Sequence, residues 1–350
     1  MTTLNRQKTD RQPAIDIFKF IAAILVVTIH TDPLLETSET ANFFLVHIIA
    51  RVAVPFFIVC TGFFVGKKIH FDDNGVANTK EARIAILKSS WKFFKLYLIC
   101  SVIYLFLSIP SWISTGWFSY KAFIDWGLSF FLTGSYIHLW YLMEVCYALL
   151  ILALILPILK KPLIYLLIIV LWIIEVLDYA YVVFLPSGIQ NVFSMIDRFQ
   201  MPFESIVRVL PLLLLGIIIR LRDRRNTLFS VIGLVISFTL LVFEVIIIKE
   251  LGGEKYSYLL STLPVAYFVF TTIHSFDSKV AFKNSTLLAD ISTFIYLAHP
   301  AYILLLRLIT KMPNIIEFII VTSISIVTGY LYYKIKDHII TRKKDKRKIL

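Results

Sequence analysis

The chain has 350 residues, 58% of them hydrophobic and 17% charged, with a mean hydropathy of +0.80. Length alone suits two soluble domains, but this composition excludes an ordinary soluble protein and indicates a polytopic membrane protein. The net charge of +12 does not indicate a nucleic-acid partner. In such a chain, basic residues mark cytoplasmic loops and meet the headgroups of the lipid bilayer.

At about 17–25 apolar residues per crossing, the pattern predicts an all-α transmembrane bundle of about ten spans. They fall near 14–32, 43–66, 91–110, 138–158, 162–184, 203–221, 227–248, 256–274, 287–309 and 314–335. Arg6, Lys8 and Arg11 precede the first span, and the even connections are basic. Among them are Lys67, Lys68, Lys80, Arg83, Lys88 and Lys92, then Lys160 and Lys161, Arg220, Arg222, Arg224 and Arg225, and Lys279 and Lys283. The tail ends RKKDKRK, and the odd connections are poor in Lys and Arg. Both termini are therefore expected in the cytoplasm, in a multi-pass protein of the plasma membrane. Residues 79–92 fit a helix on the inner surface and 117–133 an aromatic-rich segment in the outer interface. One domain is expected over 1–350, with polar tails at about 1–12 and 337–350. No cleaved signal peptide is expected. Cys60, Cys100 and Cys146 sit in apolar runs without CxxC spacing, so neither a disulfide framework nor a metal site is expected. The fifth, seventh and tenth spans read as scaffold.

Ionisable residues at bilayer depth are costly and usually functional. The first span, IDIFKFIAAILVVTIH, carries Lys19 and His30 eleven residues apart. That is about 16 Å of helix at ~1.5 Å per residue, and the two share one face. Arg51 lies in the outer half of the second span, one turn after His47, and the fourth span opens with His138, Trp140 and Glu144. Glu204 and Arg208 in the sixth span are four apart, spaced to pair. In the ninth, Ser292, Tyr296 and His299 share a face and Pro300 is set to bend the helix. His30, Arg51, His138, Glu144, Arg208 and His299 are thus expected to converge in the outer half of the bundle. Structural roles compete with functional ones. Arg51 could snorkel or pair with Glu144, His138 could belong to an aromatic belt, and His299 could bond carbonyls freed by Pro300.

Four stretches resemble motifs of the integral-membrane acyltransferase-3 family. They are Lys19 followed by ten residues and His30; RVAVPFFIVCTGFF from Arg51, through Pro55, Phe56, Phe57 and Thr61, to Gly62; HLWYL from His138 to Leu142; and Ser292 to Pro300. The sequence is also similar to the membrane half of vancomycin-resistance serine racemases. Lys19 stands where the acyltransferases have Arg, which keeps the charge but loses the planar fork. The resemblance implies transfer of an acyl group, usually acetyl, from cytoplasmic acyl-CoA to a hydroxyl of a cell-surface glycan or related acceptor. Acyl-CoA would be a donor substrate, with no permanently bound cofactor. It further implies His30 as general base or acyl carrier and Arg51 as oxyanion partner. Lys19 would bind the donor. His138, Trp140, Glu144, Arg208, Tyr296 and His299 would bind the acceptor or relay protons. The racemase resemblance instead implies a small-solute transporter for a serine-like amino acid.

Overall fold

A computed structural model describes residues 12–71, 80–196, 199–222, 226–277, 280, 282 and 284–349, with side chains as far as Ile339. Arg6, Lys8, Arg11, Thr79, Arg224, Arg225, Lys279, Lys283 and the side chains of the terminal RKKDKRK lie outside the described residues. The fold is an all-α membrane bundle, with no β-sheet among the described residues. The apolar runs leave only helices able to satisfy every backbone group in lipid.

Helix α1 (Pro13–Thr31) starts on a proline whose missing N–H costs nothing there, and its Ala14 N–H donates to Asp277 at 2.9 Å. It stops where Asp32 turns left-handed at φ 47°. Helix α2 (Glu39–Gly66) returns antiparallel, α3 is Lys80–Ser114, α4 Tyr120–Leu132, α5 Trp140–Ile158 and α6 Lys161–Tyr179. A short helix α7 (Ser187–Ile196) precedes α8 (Gln200–Arg222), followed by α9 (Thr227–Glu250), α10 (Thr262–Phe276), α11 (Ser285–Ile309) and α12 (Asn314–Ile349).

Helix α8 is the buried axis, with every residue from Leu210 to Ile219 out of contact with lipid. It crosses α2 at backbone contact. A Cβ on Gly62 would lie 2.0 Å from the Leu213 carbonyl oxygen, and one on Gly216 2.2 Å from that of Val59. Small residues that let backbones touch are how membrane helices gain packing without a hydrophobic drive. Helix α1 packs on α11, α11 on α12, α3 on α5 and α9 on α10. Helix α9 exposes Leu228, Phe229, Val235, Ile236, Leu240 and Phe243, a face made for lipid tails.

Two expectations change. Among the described residues nine helices, not ten, are long and apolar enough to cross a membrane. The eighth predicted span shrinks to the 15 residues of α10, about 22 Å at ~1.5 Å per residue. Residues 251–261 ahead of it are irregular, turning at Gly252 with φ 83°. Such backbone is tolerated where protein satisfies it. Glu244 of α9 does so, accepting from Leu260 N–H at 2.9 Å, Ser261 N–H at 2.8 Å and Tyr181 hydroxyl at 2.7 Å. Second, residues 80–92 are no separate surface helix but the first turns of the 35-residue α3, because nothing between Lys80 and Pro110 breaks the helix. The segment 117–133, expected in the outer interface, contains a regular helix, α4, capped by Ser119 and tied to α3 by a 2.6 Å bond from Tyr97 hydroxyl to the Phe130 carbonyl.

Candidate functional site: two chambers and a row of histidines

The two ends of the bundle differ in charge. Lys19 and Lys67 both lie over the Phe64 ring, at 4.7 and 5.2 Å. Arg220 approaches Phe63 at 5.3 Å, and Lys336 pairs with Asp290 at 2.6 Å. The opposite end holds His30, Asp32, Arg307 and Glu317. There Arg307 pairs with Glu317 at 2.8 Å, and Asp32 accepts from Asn42 at 3.0 Å through its side chain and from Asn314 at 3.1 Å through its carbonyl.

Among the described residues, the two π turns within spans each carry or adjoin an arginine. In α2 a wide π turn over Leu45–Ile49 runs into a tight turn, Ala50–Val52, holding Arg51. Pro55, lacking an N–H, leaves the Arg51 carbonyl without its helical partner and loosens this stretch. In α8 a second π turn, Ser205–Val209, carries Arg208 between Pro202 and Pro211. Such turns recur at functional sites because they re-aim a side chain.

Arg208 is 4% exposed and gathers three carboxyls: Glu175 at 2.7 Å, Glu204 at 2.7 Å and Glu144 at 3.6 Å. Its guanidinium lies 4.2 Å from the Tyr258 ring centre, with Tyr179 and Trp140 at 5.4 and 5.7 Å. All of these but Glu175 line a polar chamber of about 250 Å³ that also reaches Ile29, Arg51 and Val54. Glu144 is taken by Arg208 rather than Arg51, and Arg51 Nε has no hydrogen-bond partner.

The histidines form a row. His30 and His299 ring centres are 5.2 Å apart, and His299 and His138 5.7 Å. His299 Nδ1 lies 2.9 Å from the Ile295 carbonyl. A carbonyl only accepts, so Nδ1 carries the proton and Nε2, buried and unbonded, presents a lone pair. Tyr296 hydroxyl donates to the His138 carbonyl. Tyr104 hydroxyl inserts at the Pro300 kink, donating to Leu297 carbonyl at 2.7 Å and accepting from Ala301 N–H at 3.3 Å. It thus replaces the helical bond between those two residues. The competing expectation for His299 is a bond to the carbonyl freed by Pro300, that of Tyr296; the bond seen goes one residue earlier, to Ile295, and leaves the other nitrogen unbonded. Among the described residues no group of three His, Cys, Asp or Glu could hold a metal ion.

Lys19 lies at the other end, 3.5 Å from Asp16. It opens a largely apolar chamber of about 320 Å³ whose walls include Phe57, Phe64, Phe93 and Leu96, and which also meets Tyr141 and Tyr296. Thr61, Phe64 and Phe93 also border a basic vestibule of about 440 Å³ lined by Lys68, Lys88 and Lys92. Val54 lines both the apolar and the polar chamber. The six outer residues therefore do gather at one end. They sort into a histidine row and an arginine–carboxylate chamber, while Lys19 and Tyr296 face the other chamber. Glu175, Tyr179, Tyr258 and Tyr104 were missed. Being one of two acids in the fifth span, with Asp178, was the only available signal for Glu175.

A family profile described as "Acyltransferase domain" matches residues 12–334. The chain belongs to this acyltransferase-3 family. An "Amino-acid racemase" of Enterococcus faecalis is 24% identical over 347 residues, 93% of this chain and 46% of that protein. Another of the same name and organism is 53% identical over 58 residues, 17% of this chain and 8% of that protein. A "Serine/alanine racemase" of Enterococcus gallinarum is 34% identical over 101 residues, 29% of this chain and 14% of that protein. The chain thus spans less than half the length of these curated relatives. No solved structure matches.

Proposed function

We propose that the protein transfers an acyl group, acetyl in the simplest case, from cytoplasmic acyl-CoA to a hydroxyl of a cell-envelope glycan or related acceptor. The observation that carries this reading is that the lysine vestibule and the apolar chamber share Thr61, Phe64 and Phe93, while Val54 lines both the apolar and the polar chamber. The basic end is assigned to the cytoplasm of the plasma membrane by the excess of Lys and Arg there. Lys68, Lys88 and Lys92 would then meet the phosphates of coenzyme A, as point charges suited to that task. The pantetheine arm would lie along Phe57, Phe64 and Phe93, bringing the thioester toward Val54 and Tyr296. Lys19, paired with Asp16 and stacked on Phe64, serves here as a charge at the chamber mouth rather than a planar fork.

The acceptor enters the polar chamber from the opposite side. Its hydroxyl oxygen attacks the thioester carbonyl while His30 takes the hydroxyl proton, and Arg51 faces the oxyanion that forms. Collapse breaks the carbon–sulfur bond. The thiolate of coenzyme A leaves and takes up the proton, and the acyl group remains on the acceptor oxygen. His299, with its lone pair toward the cluster, holds the His30 ring and stabilises it when charged.

The test is transfer of labelled acetyl from acetyl-CoA to surface material in membranes holding wild type or His30→Ala. Wild type should label a glycan, and the variant should lose on the order of 10²–10⁴-fold in rate, the usual contribution of a general base, at unchanged expression. Full activity in His30→Ala would remove that residue from the reaction. Absence of transfer in the wild type would remove the reading itself.

A further inference from the structure

A separate group of cations lies at the basic end of the bundle. It borders a cavity of about 370 Å³ lined by His70, Phe71, Lys161, Tyr165, Leu221, Arg222 and buried Ile218. The cavity shares no lining residue with the lysine vestibule or with either chamber. Three parts of the chain build it. A Cβ on Gly66, the last residue of α2, would lie 3.2 Å from Ile217 Cα and from Arg220 Cβ, so the end of α2 runs against the end of α8. Ile69 and Leu159 are buried in the core and anchor the connections that lead to Phe71 and to Lys161. Lys161 opens α6, and Arg222 closes α8.

The two cations rest on aromatic rings. Lys161 Nζ lies 5.5 Å from the Phe71 ring centre, and the Arg222 guanidinium 5.5 Å from that of Tyr165. Among the described residues no acid lines the cavity or pairs with either cation. Asp72, Asp73 and Asp223, which follow Phe71 and Arg222 in sequence, lie outside them. Other cations at the two ends of the bundle do pair: Lys19 with Asp16, Lys336 with Asp290 and Arg307 with Glu317. A guanidinium fork and an ammonium on one cavity suit a phosphate, the first gripping it bidentately and the second as a point charge.

The neighbouring surface indicates what carries that phosphate. Beyond Tyr165 the lipid-exposed face of α6 continues through Leu166, Ile169, Val170 and Ile173, each 44–57% exposed. Their spacing puts them on one helix face. From Tyr165 to Ile173 the helix rises about 12 Å at ~1.5 Å per residue, most of one leaflet of a hydrocarbon core about 30 Å thick. Basic pockets between helices at the membrane edge take the head groups of anionic lipids.

We infer that this cavity binds one anionic phospholipid, with its phosphate between Lys161 and Arg222 and its tails along the exposed face of α6. The inference does not depend on the acyl-transfer reading. A zwitterionic headgroup fits poorly, because its ammonium would meet the same two cations. Each cation beside an anionic headgroup is worth roughly fivefold in affinity, so two give a preference of at least about tenfold.

The test places the full chain in bilayers of equal parts phosphatidylglycerol and phosphatidylcholine and counts, by native mass spectrometry, the lipids retained on release. Wild type should keep one phosphatidylglycerol at about tenfold or more over phosphatidylcholine. Lys161→Gln with Arg222→Gln should lose that preference. Lys88→Gln with Lys92→Gln removes the same charge from the vestibule and should keep it. Equal retention of the two lipids by wild type would overturn the inference, and this comparison decides by itself should a variant not fold. So would a preference that survives the double change at Lys161 and Arg222, or one lost equally in the vestibule variant. Release of the retained lipid by inorganic phosphate or by coenzyme A would assign the cavity to a soluble phosphate and overturn it likewise.

Discussion

The two chambers that meet at Val54 are built from opposite materials. The one behind Lys19 has walls of Phe57, Phe64, Phe93 and Leu96 and opens into three lysines. The one around Arg208 is lined by carboxyls and tyrosines. An apolar passage packs the methylenes of a long flexible arm without fixing its register, since its walls offer few hydrogen-bond partners. A chamber with fixed charges holds one orientation of a small ligand, because unpaired groups penalise every other. The difference teaches that, on the proposed function, delivery of the donor and recognition of the acceptor fall to two chambers with one shared wall at Val54.

Blocking the junction should break the comparison most sharply. Val54→Trp puts a large ring into the shared wall, between two cavities that would each remain. Acetyl transfer should fall by about 100-fold or more, as displacement of a reacting group by an ångström can produce. Binding of a non-hydrolysable acetyl-CoA analogue should change less than about threefold. Loss of both together would mean that Val54 belongs to the donor site alone.

The lysines sharpen the first chamber. Lys88→Ala with Lys92→Ala removes two of three charges from the vestibule. KM for acetyl-CoA should rise about tenfold, with kcat within about twofold, as loss of uniform binding requires. The effect should shrink at high salt, because exposed charges are screened within about 10 Å at 0.1 M ionic strength. A change in kcat with KM constant would place these lysines outside donor binding.

Much of this was legible in the sequence, and what was not has a common cause. Span positions follow from length and hydropathy, and Lys19, His30, Arg51, His138 and His299 announce themselves as polar groups in apolar runs. Glu175 does not, because with Asp178 it makes IIEVLDY look like a span end until α6 is packed against α8. Glu244 hides likewise in α9, where it satisfies the irregular backbone that replaced the start of the eighth span. Tyr258 lies in that irregular segment, and its place under Arg208 depends on a break in helicity that hydropathy cannot report. Val54 is an ordinary apolar residue in a motif. Its position between chambers is a property of five helices at once.

Tyr104 sets the smallest expected effect. Its side chain is 2% exposed, and its hydroxyl closes the turn that Pro300 opens, next to His299. Tyr104→Phe keeps the ring packed edge-on against His138 at 4.8 Å and stacked on Tyr136 at 4.4 Å. It leaves the Leu297 carbonyl and the Ala301 N–H without their partner, a cost of about 1–3 kcal/mol for buried groups. The 2.9 Å bond from His299 Nδ1 to Ile295 is untouched, so the imidazole keeps its tautomer and most of its aim. The variant should therefore unfold at a lower temperature in detergent while losing only a few-fold in transfer, an effect of the size seen when a supporting bond relaxes. An unchanged unfolding temperature would show that the kinked turn closes without this hydroxyl. A loss of activity as deep as that of His30→Ala would move Tyr104 from the support of the histidine row into the chemistry itself.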